Sequence, residues 1–171
     1  MKTFKIYFIA LIIAGTLFSC DGFLDEQPGS EIPKEDMWKN AKDAKAGVAE
    51  IYGLFRVMLR ENYWYWGEFR GDNLSKGAPS KSDQEIVMSN SMSSNHKACY
   101  WTNTYKAINQ ANLAIKYIPG IEMPSTTIKN DYLGQAYAMR ALAYFYAVRT
   151  WGDVPVYTAP IESATNAEYK G

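Results

Sequence analysis

The stretch GQAYAMRALAYFYAVRTWGDVP at residues 134–155 decides the fold of this 171-residue chain. Aromatic and small residues occur nearly all round its helical repeat, and a helix of that kind is expected to lie buried between other elements. The pattern begins upstream and predicts a helix over residues 126–151, capped at its start by Ser125. Gly152 suits the position just after a helix C-terminus, and Pro155 prevents any continuation.

Two further helices are predicted from apolar residues that recur every three or four positions. The first covers residues 41–59, with Asn40 placed to cap its start and Asp43 in its first turn; its stripe is Ala41, Ala44, Val48, Ile51, Phe55 and Met58. The second covers residues 95–118 and stops at Pro119-Gly120; its stripe is Trp101, Tyr105, Ile108, Asn112 and Ile115. Asn112 is the polar member of an apolar face, and a buried amide must be hydrogen-bonded. We expect it to bond a neighbouring helix or loop backbone rather than a ligand.

The N-terminus is typical of an export signal. Lys2 and Lys5 precede an uncharged apolar run at residues 8–18, which is shorter than the roughly 20 residues that span a bilayer. Ser19 and Cys20 follow as in a bacterial lipobox. We therefore expect residues 1–19 to be a lipoprotein signal peptide and Cys20 to carry acyl chains such as palmitate, since stable anchoring needs two or more chains. An ordinary signal peptide with a free cysteine is the alternative.

Charge and composition argue against several classes of function. Without the two lysines of the signal, the 18 basic residues become 16 against 18 acidic ones, a formal charge of −2, which gives no reason to expect a nucleic-acid partner. Once Cys20 is lipidated, Cys99 has no disulfide partner, and we expect it to be a small buried residue in a helix. We predict no cofactor, because no P-loop, G-x-G-x-x-G or Cys-x-x-Cys motif occurs.

Catalysis has little support in the sequence. His96 is the only histidine, and we expect it to face solvent at a helix start, so neither a Ser-His-Asp triad nor a multi-histidine metal site is predicted. Glu68 and Asp72 could be imagined as a glycosidase pair, but a four-residue spacing in a stretch broken by glycine says little about the distance between the carboxylates. The sequence therefore predicts a protein without catalytic or metal-ligating residues.

Aromatic and polar side chains are concentrated at residues 63–73, YWYWGEFRGDN. Aromatic faces can stack on the apolar C–H surfaces of sugar rings, and arginine, carboxylate and amide groups can hydrogen-bond vicinal hydroxyls. The candidate glycan-binding residues here are Trp64, Trp66, Arg70, Asp72 and Asn73. The alternative is that alternate aromatics of the run pack against the helical core while Asp72 caps the turn.

Three features together resemble the SusD/RagB outer-membrane nutrient-binding lipoproteins. They are the block at residues 134–155, the spacing W-x3-Y-x2-I-x3-N from Trp101 to Asn112, and the lipobox followed by Phe23-Leu24-Asp25 and Pro28. Gln135 departs from the glutamate usual in that family. The resemblance implies an all-α fold, a tetratricopeptide-like helical repeat array (the SusD-like α/α superhelix).

The resemblance also implies a domain organisation. Family members are several hundred residues long, so we expect a truncated chain that is an N-terminal fragment of the fold. Residues 20–40 would be a lipidated extended tether, and residues 41–171 the N-terminal part of the SusD-like helical domain. One helix pair cannot bury both faces of the 126–151 helix, because stacked repeats need neighbours.

The function that the resemblance implies is nutrient capture without catalysis. SusD/RagB proteins bind glycans or other nutrients at the surface of the outer membrane, held by a lipid anchor, and deliver them to a SusC-like TonB-dependent transporter. By position, the loop before the W-x3-Y helix adds Asn90 and Asn95 to the ligand-binding candidates, although no aromatic residue stands in that loop. Two alternatives stay open: a lipid-anchored tetratricopeptide-like adaptor that binds proteins, and a lipid-anchored hydrolase with catalytic groups beyond Gly171.

Overall fold

The computed structural model describes residues 37–60, 62–75, 77 and 82–163. These residues form five α-helices: α1 Ala41–Leu59, α2 Asn62–Trp66, α3 Ser82–Met88, α4 Thr102–Tyr117 and α5 Thr126–Trp151. Three 3₁₀ helices lie between them, Glu68–Arg70, Lys97–Cys99 and Ile118–Gly120. The described residues contain no strand, and the predicted all-α class is confirmed. The predicted signal peptide, Cys20 and most of the predicted tether lie outside the described residues.

Helix α1 has the predicted bounds. Its start is fixed by local hydrogen bonds. The Asn40 side-chain oxygen accepts hydrogen bonds from the backbone N–H groups of Lys42 at 2.9 Å and Asp43 at 3.1 Å. The Asp43 carboxylate in turn accepts from the backbone N–H of Asn40 at 3.1 Å, which completes a reciprocal capping box. All three of these backbone N–H groups are thereby satisfied within four residues of sequence.

Helix α5 also begins and ends where the sequence predicts. The Ser125 hydroxyl accepts from the backbone N–H of Ile128 at 3.2 Å. At the other end the Gly152 N–H donates to the Val148 carbonyl at 3.0 Å, and Gly152 has a φ of +77°, a conformation that a side chain disfavours. None of the described helices is long and apolar enough to cross a membrane.

Helix α4 begins at Thr102, seven residues later than predicted, because His96 organises the preceding segment differently. The His96 backbone is extended, and its Nδ1 accepts from the Ala98 N–H at 3.2 Å, so it caps the Lys97–Cys99 3₁₀ helix. Such a local side-chain bond competes with continued α-helix. His96 is 8% exposed, and the expectation that it faces solvent is wrong. Cys99 lies in this 3₁₀ helix and is half-buried, not fully buried as expected.

The core is formed where α4 packs against both α1 and α5. Most of the buried residues of α4 and α5 are alanines, namely Ala107, Ala111, Ala114, Ala136, Ala143 and Ala147. Because alanines occupy the core face of α5, many of its larger side chains lie elsewhere, and Tyr137, Phe145 and Val148 are about half exposed. The described residues therefore bury one face of α5, in agreement with the expectation that one helix pair cannot bury both faces.

The segment after α5, residues 153–162, which we call the strap, lies against α4 and α5 and is bound chiefly through its backbone. Tyr105 donates its hydroxyl to the Pro155 carbonyl at 2.7 Å. Tyr144 accepts from the Tyr157 N–H at 2.7 Å and contacts the Tyr157 carbonyl at 3.0 Å. The hydrogen bonds of the strap therefore fix the path of the chain beyond the end of α5.

Asn112 joins the strap to both long helices. Its amide nitrogen donates to the carbonyls of Tyr157 at 2.9 Å and Ala159 at 3.3 Å, and its oxygen accepts from Arg140 at 2.8 Å. The residue is 1% exposed, so these bonds satisfy an amide that water does not reach. The prediction that Asn112 bonds a neighbouring backbone is confirmed.

A first prediction concerns Gly47 on α1, which lies against the Trp38 indole. An added Cβ at Gly47 would stand 2.2 Å from the Trp38 ring, and that ring stacks on Tyr117 at a centroid distance of 5.9 Å. We expect Gly47→Ala to lower the free energy of unfolding by about 1–3 kcal/mol through overpacking. Gly53→Ala, on the same helix with its nearest atom at 3.6 Å, should instead raise it by about 0.5–1 kcal/mol. Urea unfolding followed by circular dichroism measures both, and equal stabilisation by the two changes would contradict the Trp38 contact.

A second prediction follows from the partly buried phenol of Tyr105. Burial raises the pKa of Tyr105 to about 12, and the neighbouring Tyr144 and Tyr157 add to the rise. Since an unfolded tyrosine titrates near pH 10, the stability from this shift is fully present below about pH 10 and is lost as the pH rises towards 12. Tyr105→Phe should unfold at lower temperature than wild type at about pH 8, and the difference should shrink by about pH 12 as wild type loses its advantage. Melting curves that fall in parallel across this range would rule out the shift.

Candidate functional site

The seven predicted ligand-binding residues belong to segments that meet at one small hydrophobic cluster, which we call the Tyr65 cluster. Its buried members are Tyr65, Val87 and Ala98, and Trp66, Phe69 and Met92 pack against them. Trp64 and Trp66 flank Tyr65, and Arg70, Asp72 and Asn73 follow Phe69; Asn90 and Asn95 lie on either side of Met92. Because the cluster joins α2, α3 and two 3₁₀ helices, it brings together segments that are about 20 to 30 residues apart in sequence.

The two tryptophans of α2 have different environments. Trp64 is 47% exposed and meets Tyr63 edge-to-face at a centroid distance of 5.5 Å. Trp66 donates its indole N–H to the Ala98 carbonyl at 2.8 Å and packs edge-on against Trp151 at 5.2 Å. Residues two apart on a helix do not share a face. The geometry thus favours a structural role for Trp66 and leaves the Trp64 ring available to solvent.

Arg70, Asp72 and Asn73 lie in the exposed turn that follows α2. Arg70 ends the Glu68–Arg70 3₁₀ helix, where its N–H donates to the Gly67 carbonyl at 3.3 Å. All three side chains are exposed, and they place a guanidinium, a carboxylate and an amide within four residues of sequence. This set can both donate to and accept from hydroxyl groups of a ligand.

Asn90 and Asn95 belong to the loop between α3 and α4. Asn90 has a φ of +51°, and its N–H donates to the Val87 carbonyl at 3.1 Å. Asparagine adopts this left-handed conformation more readily than most residues, so Asn90 has a structural reason to occupy the end of α3. The Asn95 side chain is exposed, and its backbone carbonyl accepts from the Tyr100 hydroxyl at 2.9 Å.

Tyr100 is a candidate that sequence reasoning missed. Its side chain is 55% exposed, and the bond to Asn95 ties its hydroxyl to a loop that has no aromatic residue of its own. The predicted helix over residues 95–118 placed Tyr100 inside an α-helix, where it carried no signal of a surface role. Its extended backbone, with a ψ of 128°, is what turns it out of the helical path.

Charged groups of α3 and of the Lys97–Cys99 3₁₀ helix contact each other and the ring of Tyr65. Asp83 forms an ion pair with Lys97 at 3.0 Å, and the Lys97 ammonium lies 5.3 Å from the centroid of the Tyr65 ring. His96 meets the same ring edge-on at 5.8 Å, with its Nε2 3.9 Å from an Asp83 oxygen. These contacts hold α3, the 3₁₀ helix and Tyr65 together.

Neither of two surface grooves coincides with the predicted site. One, of about 670 Å³, is lined by Ala141, Tyr144, Phe145, Val148, Asp153, Val154 and Val156. The other, of about 540 Å³, runs along α3 and is lined by Ser82, Glu85, Ile86, Met88 and Ser89. Within the described part of the chain, no group of three or more His, Cys, Asp or Glu side chains is placed to hold a metal ion. Six of the seven candidate residues are exposed, Trp66 is half-buried, and none of the seven lines either groove.

Comparison with known proteins places this chain in a family. Residues 22–170 match the SusD-like family described as starch-binding and associating with the outer membrane. The chain is 41% identical over 163 residues to the SusD-like protein P38 of Formosa agariphila, covering 92% of this chain and 32% of that protein. It is 26% identical over 160 residues to SusD-like protein P25 of the same organism, covering 84% and 29% respectively.

A solved structure gives the same assignment. A SusD superfamily protein from Bacteroides thetaiotaomicron superposes with a TM-score of 0.67 at 28% identity, covering 77% of this chain and 30% of that one. The chain belongs to the SusD-like family, and the resemblance inferred from sequence is confirmed. It spans about a third of the length of the curated relatives it matches.

Proposed function

We propose that this protein is a lipid-anchored glycan-capture protein of the outer membrane, which binds oligosaccharides without catalysis. The observation that carries the proposal is membership of a family described as starch-binding and associating with the outer membrane. The exposed ring of Trp64 and the polar turn after it supply the chemistry that such binding needs. In a longer protein, this chain would be the N-terminal third of the binding domain.

In this mechanism the sugar ring stacks on an exposed aromatic face while polar groups select its hydroxyls. Trp64 supplies the face, and the hydrogen-bonding groups are those of Arg70, Asp72, Asn73, Asn90 and Asn95. The Tyr65 cluster holds these segments in place before the ligand arrives, which reduces the ordering cost of binding. The ligand leaves unchanged and is handed to a SusC-like TonB-dependent transporter, which is the partner we propose.

The proposed domain organisation follows the sequence. Residues 1–19 are a signal peptide, Cys20 carries the lipid anchor, and residues 20–40 form the tether that leads into the helical domain at residues 41–171. The anchor keeps the binding surface at the outer membrane, next to the proposed transporter. This placement raises the local concentration of ligand above the pore.

A third prediction tests the ligand surface with the two tryptophans of α2. Trp64→Ala should weaken binding of maltoheptaose, or of whichever oligosaccharide in a panel binds wild type, by about three- to tenfold because a stacking face is lost. Its melting temperature should stay close to wild type, since the side chain is half exposed. Trp66→Phe removes the bond to Ala98 and should lower the melting temperature while the folded protein keeps its affinity.

Isothermal titration calorimetry and thermal melts measure the two effects separately. Loss of affinity in Trp66→Phe with none in Trp64→Ala would reverse the assignment. Unchanged affinity in both variants would remove α2 from the site. If no oligosaccharide of the panel bound wild type, glycan capture by this chain would be rejected.

A fourth prediction concerns the anchor. In a Bacteroidetes-type host, Cys20→Ser should abolish incorporation of labelled palmitate and move the protein out of the detergent phase in Triton X-114 partition. Cys99→Ser is the matched control and should behave as wild type, because Cys99 lies in the folded domain. Detergent partition retained by Cys20→Ser would show that the protein is not anchored through this cysteine.

A further inference from the structure

We propose that the surface formed by α4 and α5 is a receptor for a non-helical peptide backbone, and that the strap is its built-in ligand. The side chains that bind are Tyr105, Asn109 and Asn112 of α4 and Arg140 and Tyr144 of α5. The inference is independent of glycan capture, since none of these residues belongs to the candidate glycan surface.

The strap is recognised mainly at alternate residues, with one further bond from Arg140 to the Thr158 carbonyl at 3.3 Å. Pro155 and Ala159 are bound through their carbonyls, whereas Tyr157 and Ile161 are bound through both N–H and C=O. Asn109 shows the pattern most clearly, because its oxygen accepts from the Ile161 N–H at 2.7 Å and its nitrogen donates to the Ile161 carbonyl at 3.1 Å. A side-chain amide thus pairs with a backbone residue as a neighbouring strand would.

Between Pro155 and Ile161, the hydrogen bonds named above join the receptor side chains to backbone atoms of the strap. Val156 is 55% exposed, and Thr158 and Ala159 are exposed as well. Two strap side chains are also contacted: the Tyr157 ring meets Tyr105 edge-on at a centroid distance of 6.0 Å, and Glu162 accepts from Lys116 at 2.6 Å and Tyr117 at 2.8 Å. The surface therefore selects a backbone path with N–H donors at positions 157 and 161, and the side chains at positions 156, 158 and 159 are left exposed.

Two polar side chains of the receptor have their hydrogen bonds satisfied by the strap. Asn112 is 1% exposed, and two of its three described bonds go to the strap. The Tyr144 hydroxyl, on a half-buried side chain, bonds both backbone polar groups of Tyr157. With the strap released, these polar groups would lie on an open surface that a second peptide backbone could satisfy.

Attachment in the same chain keeps the surface closed to other peptides. A short tether gives the strap an effective concentration of the order of millimolar, so a free peptide at micromolar concentration does not compete. A protein-adaptor function at this surface would require displacement of the strap.

The test uses a fluorescein-labelled peptide of residues 154–163 and the purified chain. The double variant Tyr157→Pro with Ile161→Pro lacks both strap N–H donors and should bind the peptide, measured by fluorescence anisotropy, at least tenfold more tightly than wild type. Val156→Ser is the matched control and should behave as wild type. A peptide carrying proline at both positions should bind none of these proteins.

A second measurement does not depend on the folding of the double variant. In wild type, the unlabelled peptide at about millimolar concentration should displace the strap and speed thermolysin cleavage within residues 153–163 several-fold, whereas the proline peptide should not. No acceleration by the peptide, or equal acceleration by both peptides, would overturn the proposal. Peptide binding to wild type as tight as to a correctly folded double variant would do the same.

Discussion

The buried amide of Asn112 is the constraint on which the arrangement of the two long helices and the strap depends. It contacts Arg140 of α5 and two carbonyls of the strap from a position that is 1% exposed. An amide buried without partners costs about 1–3 kcal/mol, so packings that separate these three elements are disfavoured. Hydrophobic contact alone would fix the register of α4 against α5 only weakly, because most of the buried residues of these two helices are alanines with short side chains.

The candidate glycan surface is held together by apolar packing and an ion pair rather than by a buried amide. The Tyr65 cluster is small, and it is reinforced by the Asp83–Lys97 ion pair and by the packing of His96 on the Tyr65 ring. It gathers short helices that would be unstable in isolation, since helices of five to seven residues are far below the length that is stable in water. A binding surface on such elements depends on tertiary contacts for its shape, and Trp66 contributes to those contacts while Trp64 stays exposed.

Much of the fold was predictable because its signals are local. The bounds of α1 and α5 follow from Asn40, Ser125 and Gly152, each of which satisfies or terminates a helix within a few residues. The start of α4 was not predictable from periodicity, because the His96 side chain competes for the Ala98 N–H and replaces α-helix with a 3₁₀ turn. The same error hid Tyr100, whose exposure depends on that irregular backbone.

The sequence by itself determined the all-α class, two long helices with their caps, the family, and the segments from which a ligand surface would be drawn. Only the tertiary structure decided which aromatic of α2 faces solvent, which backbone carbonyls Asn112 binds, and where the chain runs after Gly152. Those three features depend on contacts between residues 13 to 52 positions apart. A helical period or a capping motif reports only on neighbours within about one turn, so no such pattern could contain them.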